Sequence, residues 1–134
     1  MRPDDINLVT KIFTDKKVLE AFDLEKPLSD EQISRWLERN LKHQEKYGYG
    51  LFSVTLKSEN ELIGDCGLEH TDFNGVPCVE LGYDFLSKYW NQGYATEAAI
   101  AIKEYSINVL GIDSSSLCSF IRKNNVASIR VSEK

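Results

Sequence analysis

Positive charge is in short supply in this chain: 16 Lys and Arg stand against 21 Asp and Glu, a net charge of -5. That balance argues against a broad, sequence-independent grip on nucleic acid, which needs a basic face. It suits a cationic small molecule or a basic peptide end drawn in by charge. Long apolar runs are missing as well; none approaches the roughly 20 residues that cross a bilayer. The opening Met1-Arg2-Pro3-Asp4-Asp5 lacks the charged-then-apolar pattern of an export signal, so no membrane partner is expected. Cysteine is scarce: Cys66, Cys78 and Cys118, at irregular spacing, read as reduced thiols of a cytoplasmic protein rather than a disulfide framework. Cys66 and His70 on one strand and Cys78 on the next could converge, but their spacing fits no standard zinc pattern, and no metal is expected. His43 and His70 are the only imidazoles, and neither has an evident thiol to activate.

What remains is an ordinary globular composition, 42% hydrophobic and 28% charged, in 134 residues that we read as one domain, 1–134. Val9, Ile12 and Phe13, then Val18, Leu19 and Phe22, repeat at helical spacing. After Pro27, Ser29-x-x-Gln32 forms a capping box, and Ile33, Trp36, Leu37, Asn40, Leu41 and Gln44 continue the period, predicting a helix over 30–46 that stops at Gly48. The period then changes. Strands are predicted over 51–56, 61–69 and 76–86, joined by a polar turn at 57–61 and an Asn74-Gly75 hairpin turn. Gly64 and Gly67 inside the second strand imply a bulge or close packing.

The most informative stretch is Leu81 to Glu97, a strand, a short turn, and Gly93 at the mouth of a helix. Ala95, Ala98, Ala99, Ile102 and Ser106 make a small, apolar face, and the helix is predicted to run to about Leu110 and stop at Gly111. Its first amides, from Gln92 through Gly93, Tyr94 and Ala95 to Thr96, have no partner inside the helix. With the positive end of the helix dipole they can seat a phosphate, and Gly93, lacking Cβ, lets one come close. A plain tight turn is the other explanation of the glycine. A strand over 115–121, parallel to the preceding one, follows, and then Asn125 at a helix start.

The string Tyr89-Trp90-Asn91-Gln92-Gly93-Tyr94-Ala95-Thr96-Glu97-Ala98 resembles the pyrophosphate loop of the GNAT N-acetyltransferase superfamily, in particular its RimJ/RimL-like branch. Gly93-x-Ala95 fits the second half of the usual Gln/Arg-x-x-Gly-x-Gly/Ala motif. Trp90 departs from the first position in the way that branch does. The resemblance implies an α/β fold, a mixed α+β sheet of the acyl-CoA N-acyltransferase type, and an enzyme that moves acetyl from acetyl-CoA (coenzyme A) to the primary amine of a peptide or protein N-terminus or a small molecule. It implies that coenzyme A enters between the strands at 79–86 and 115–121, its pantetheine arm on the backbone of Phe85 and Leu86, its pyrophosphate on Gln92–Thr96, and Asn125 on the arm. The family's outermost elements have no counterpart at either end of the sequence. That favours an alternative, a non-catalytic acyl-CoA-binding or oligomerisation module, and leads us to expect a homodimer or higher oligomer that covers the edge at 115–121.

Acyl transfer to an amine needs a base, a donor for the oxyanion and a proton for the leaving thiolate. Glu80, sharing a strand face with Gly82 and Asp84, is the first candidate base and Asp84 the second. Glu80 can equally be a strand residue facing Glu69 or His70. Ser128 is the candidate proton donor, because the position of the family's usual tyrosine holds Ser132; its plainer role is a third helical residue. Asn125 doubles as a helix N-cap. Glu97 serves the helix dipole, and Arg122 and Lys123 are either contacts for the adenosine phosphate or a solvated turn. Trp36, Tyr47 and Tyr49 are walls of a substrate groove or core.

Overall fold

The computed structural model describes residues 1–119. A 3-10 turn, Pro3–Asp5, opens onto α1 (Ile6–Ile12) and α2 (Lys16–Ala21); α3 spans Asp30–Tyr47. Then come β1 (Leu51–Leu56), β2 (Glu61–Phe73), β3 (Val76–Phe85), α4 (Tyr94–Asn108) and β4 (Leu117–Cys118). The sheet runs β1-β2-β3-β4, antiparallel except for the last pair. It is the mixed sheet expected from sequence.

The local chemistry explains the boundaries. Ser29 accepts from the Gln32 amide at 3.2 Å while Gln32 Oε1 accepts from the Ser29 amide at 2.8 Å, so the capping box forms as written. Gly48, at φ 75°, closes the helix in the left-handed region. Asn74 and Gly75, at φ 51° and 82°, make the primed hairpin turn that carries β2 into β3. That pairing extends β2 four residues beyond the predicted end, because Val76 onward supplies a partner up to Phe73.

The two strand glycines act through the space they leave. Between Val54–Gly64 and Thr55–Leu62 the register slips by one, so Ile63 is the extra residue of a β-bulge. A Cβ at Gly64 would meet the Asp84 carbonyl and lie 2.7 Å from the Phe85 ring. At Gly67 it would lie 2.6 Å from the Leu51 Cα. Both positions require glycine because neighbouring backbone occupies the site.

Pairing also decides which residues share a face. Phe52, Cys66 and Tyr83 lie side by side on one face, and Ser53, Asp65 and Asp84 on the other. α4 covers the first: the Tyr105 ring meets the Phe52 ring edge-on at 5.8 Å. The N-terminal segment covers the second, with Ser53 Oγ donating to Asp5 Oδ2 at 2.7 Å. Leu8, Val9, Ile12, Ile33 and Leu37 from the N-terminal helices pack with Ile63 and Phe85 as the buried core. Burial of such side chains stabilises by roughly 1.5–3 kcal/mol each. Trp36 packs against this core, edge-on to Phe13 at 5.1 Å, and its partly exposed side also lines a surface pocket with Leu28, Gln32, Arg35 and Arg39.

The predicted strand at 115–121 starts late. Asp113 accepts from the Ser115 amide at 3.0 Å and its carbonyl takes the Ser116 amide at 2.9 Å, which holds 114–116 in a 3-10 turn. Within the described residues only Leu117 and Cys118 pair with β3, against Val79 and Glu80. Positions 120 and 121 of the predicted strand lie outside them.

Candidate active site

Gly93 adopts φ 87°, ψ 0°, and no side chain caps α4. The first amide bonded within the helix is that of Glu97, to the Gly93 carbonyl at 3.0 Å. The amides of Tyr94, Ala95 and Thr96 come before it and have no carbonyl four residues back within the helix. A Cβ built on Gly93 would meet nothing within 4 Å. The mouth of this 15-residue helix is therefore an open ring of donors at the positive end of a dipole, suited to an anionic group.

The approach to it is braced. The Trp90 indole donates to the Phe85 carbonyl at 2.8 Å, and Gln92 Nε2 turns back to the Lys88 carbonyl at 2.9 Å. Asn91 takes φ 62°, a conformation Asn tolerates better than most residues. From elsewhere in the chain, Asp15 accepts from the Ser87 amide at 2.8 Å and its hydroxyl at 2.9 Å, while also capping α2. Glu61 accepts from the Tyr89 hydroxyl at 2.8 Å, which holds its carboxyl below the usual range. Asp15 and Glu61 escaped the sequence reading. The Ser87 partner of Asp15 lies 72 residues away.

Backbone direction along β3 follows from register. The Leu86 amide donates to the Ile63 carbonyl at 3.0 Å, so Gly64 and Phe85 form a non-hydrogen-bonded pair. The Phe85 amide and carbonyl thus point away from β2, toward the side where β4 lies. The same alternation turns the Leu81 carbonyl that way, where it accepts from Ser119 Oγ at 3.1 Å. The Phe85 carbonyl accepts from the Trp90 indole, and its amide is left facing outward. The Leu86 amide serves Ile63 and its carbonyl accepts from Tyr89 at 2.9 Å.

Glu80, Gly82 and Asp84 share a face, as expected, and Glu80 stands directly opposite Glu69. Asp84 stands opposite Asp65, which is wholly buried (0% exposed) with neither carboxylate oxygen receiving a hydrogen bond from the fold. Burial, then the neighbouring Asp84 charge, pushes the Asp65 carboxyl well up; burial pushes Asp84 up to about 6. The Cys66 thiol is driven to about 12 by burial and both carboxylates, which makes it inert. Asp65 is a third residue the sequence reading passed over; an acid between Gly64 and Cys66 in a buried strand was the available sign.

The aromatic residues at the end of α3 form a separate cluster. Tyr47 stacks on His70 at 4.7 Å, and His43 lies 4.7 Å from Tyr47 and 5.7 Å from Tyr49. His43 Nε2 accepts from the His70 amide at 2.8 Å, and burial lowers its pKa, so the ring is neutral. Cys66, His70 and Cys78 do not converge: Cys78 pairs with Thr71 and so faces the opposite side from Cys66 and His70. Among the described residues no group of three or more His, Cys, Asp or Glu is placed to hold a metal ion. No helix among them is long and apolar enough to cross a membrane. Glu97 is an exposed first-turn residue of α4. The expectations for Asn125, Ser128, Arg122, Lys123 and Ser132 lie outside the described residues.

A family model described as an acetyltransferase (GNAT) domain matches residues 1–134. The chain is 31% identical over 132 residues to the uncharacterized protein YkkB of Bacillus subtilis (strain 168), covering 98% of this chain and 74% of that protein. An acetyltransferase structure from Agrobacterium tumefaciens str. C58 superposes with a TM-score of 0.80 at 22% identity, over 99% of this chain and 74% of the other. A GNAT superfamily phosphinothricin acetyltransferase from Sinorhizobium meliloti, solved in complex with acetyl-CoA, does so with 0.74 at 14%, over 99% and 69%. The open helix mouth, the loop sequence before it and the full-length family match agree, and the chain belongs to the GNAT acetyltransferase family, as an acetyl-CoA-dependent acetyltransferase.

Proposed function

We propose that this acetyltransferase acts on primary amines, with peptide or protein N-termini as the first class to test and small amines as the second. One observation carries the reading: the uncapped amides of Tyr94, Ala95 and Thr96 below the empty space at Gly93, which fit a diphosphate and leave it room to arrive. From that anchor, a pantetheine arm running back along the outward-facing backbone of Phe85 brings its thioester toward the middle of β3. There the face carrying Glu80, Gly82 and Asp84 meets it, opposite Glu69. Carboxylates on both strands favour a cationic acceptor, as does the net charge of -5.

The branch resemblance of residues 89–98 supports the peptide class. Three cysteines without a disulfide fit a reducing, cytoplasmic setting. In this chemistry acetyl-CoA supplies the activated acyl group. The protein binds it, aligns the amine with the thioester carbon, and takes up the proton the amine sheds.

Calorimetric titration with coenzyme A and acetyl-CoA, followed by thiol release across a panel of N-terminal peptides and simple amines, tests this. Binding with turnover on a primary amine supports it. Absence of coenzyme A binding would sink it, and turnover confined to hydroxyl acceptors would overturn the amine assignment.

A further inference from the structure

Asp65 is the polar side chain in the described structure that the fold does least to accommodate. It is wholly buried on β2 and no hydrogen-bond donor reaches either oxygen. An ionised carboxylate there would forfeit its hydration with little in return, which disfavours that form. Its cross-strand partner is a second carboxyl, Asp84, half-buried on the same face as Glu80 and Gly82. Two carboxylates have no hydrogen between them; one proton supplies it. Held on Asp65, the more buried of the two, that proton makes Asp65 the donor and Asp84 the ionised acceptor.

We propose that Asp84 is the catalytic base that accepts the proton an incoming ammonium sheds, and that Asp65, protonated beneath it, is its positioning residue. The inference rests on the amine acetyltransferase reading given above. The step balances: a proton leaves R–NH3+ for the Asp84 carboxylate, and the freed lone pair forms the N–C bond to the thioester carbon. The C–S bond then breaks, the second nitrogen proton goes to the departing thiolate, and Asp84 returns its own proton to water. A base for this role must be ionised near neutrality yet hold a proton well, and burial gives Asp84 a pKa of about 6.

The surroundings bear on its titration. Glu69 on β2 raises Asp84, and Glu80 lies four residues away on the same face. The Met1 amino group, bonded to the Leu51 carbonyl at 2.9 Å, pulls Asp65 the other way. Asp5 lies across β1, engaged by Ser53, and Cys66 is held as a neutral thiol. Glu80 was the first candidate for the base. It faces another carboxylate, Glu69, in register.

The test is the pH dependence of thiol release from acetyl-CoA with the best amine of the panel, together with coenzyme A affinity by calorimetry. The wild-type kcat/KM should show an acidic limb near pH 6. Asp84→Asn should lower the rate at pH 7.5 at least 100-fold with coenzyme A affinity unchanged, as loss of a general base does. Asp65→Asn, whose amide still donates to Asp84, should keep the limb in place. Asp65→Leu, which removes the donor, should move it up by a unit or more; a merely structural Asp65 would change the rate without moving the limb. Carbon-13 titration of aspartate carboxyls in the wild-type chain provides a reading that needs no variant to fold: Asp65 should remain protonated at pH 7. Full activity of Asp84→Asn across pH, an unmoved limb in Asp65→Leu, or both carboxyls ionised below pH 5 would each overturn the proposal. Coenzyme A binding without turnover on any amine overturns the catalytic part; no binding at all removes the enzyme reading on which it rests.

Discussion

The two long helices, α3 and α4, differ in how they end, and the difference separates structure from function. α3 closes both of its termini with its own residues: the Ser29–Gln32 box with Asp30 and Glu31 in the first turn, and the left-handed Gly48 whose amide returns to the Gln44 carbonyl at 3.0 Å. α4 closes only its far end, where the Leu110 amide reaches the Tyr105 carbonyl at 3.2 Å, the Ile112 amide reaches Ser106 at 2.9 Å, and Gly111 takes φ 69°. Its near end carries neither a capping side chain nor a neighbour over Gly93. A helix terminus that serves only the fold satisfies its own amides, since each unmet group costs stability. One that leaves them unmet in a braced, rigid setting holds them ready for a ligand.

Several changes would break or sharpen that contrast. The largest effect is expected from Gly93→Glu, which sets a carboxylate in the anion seat. Coenzyme A affinity should fall at least 100-fold, about 2.8 kcal/mol, while circular dichroism shows the fold retained; binding within threefold of wild type would move the anion site elsewhere. Next in size is a pH effect on the face under the N-terminal helices. The Asp65 pKa is raised on folding, so its stabilisation is full below the unfolded value of about 3.9 and is lost as pH climbs through the folded one. The melting temperature should therefore fall by several degrees as pH rises from the unfolded value through the raised folded one, and Asp65→Asn should flatten that slope. Smaller still, Ser29→Ala should cost about 1 kcal/mol in urea unfolding and leave coenzyme A affinity untouched, as befits a cap that serves α3 alone. The least change is expected of Trp90→Phe, which frees the Phe85 carbonyl from its indole donor: about 0.5–1 kcal/mol of coenzyme A affinity, read by calorimetry.

Much of this was legible in the sequence because it is local. The capping box placed α3 to within one residue of its observed end, the period-2 run placed β1 at Leu51–Leu56, and Asn74-Gly75 fixed the hairpin. The helix mouth was legible too, since one glycine and the residues flanking it create it. What escaped depends on partners far along the chain. Leu86 is consumed by Ile63, the Asp113 turn delays β4 by two residues, and Asp65 gains meaning only once register sets Asp84 across from it. The register that sets Glu69 across from Glu80 also sets Asp65 across from Asp84, but nothing local announces that Asp65 will be wholly buried.

The missing side chain at Gly64 has a consequence of its own. The Asp84 carbonyl and the Phe85 ring occupy the volume a methyl group would take, so no side chain fits at Gly64 unless β3 moves. Any bulk added there would be relayed sideways, carrying Phe85 outward. Gly64 thus sets, from the far side of a strand, where the Phe85 backbone can lie.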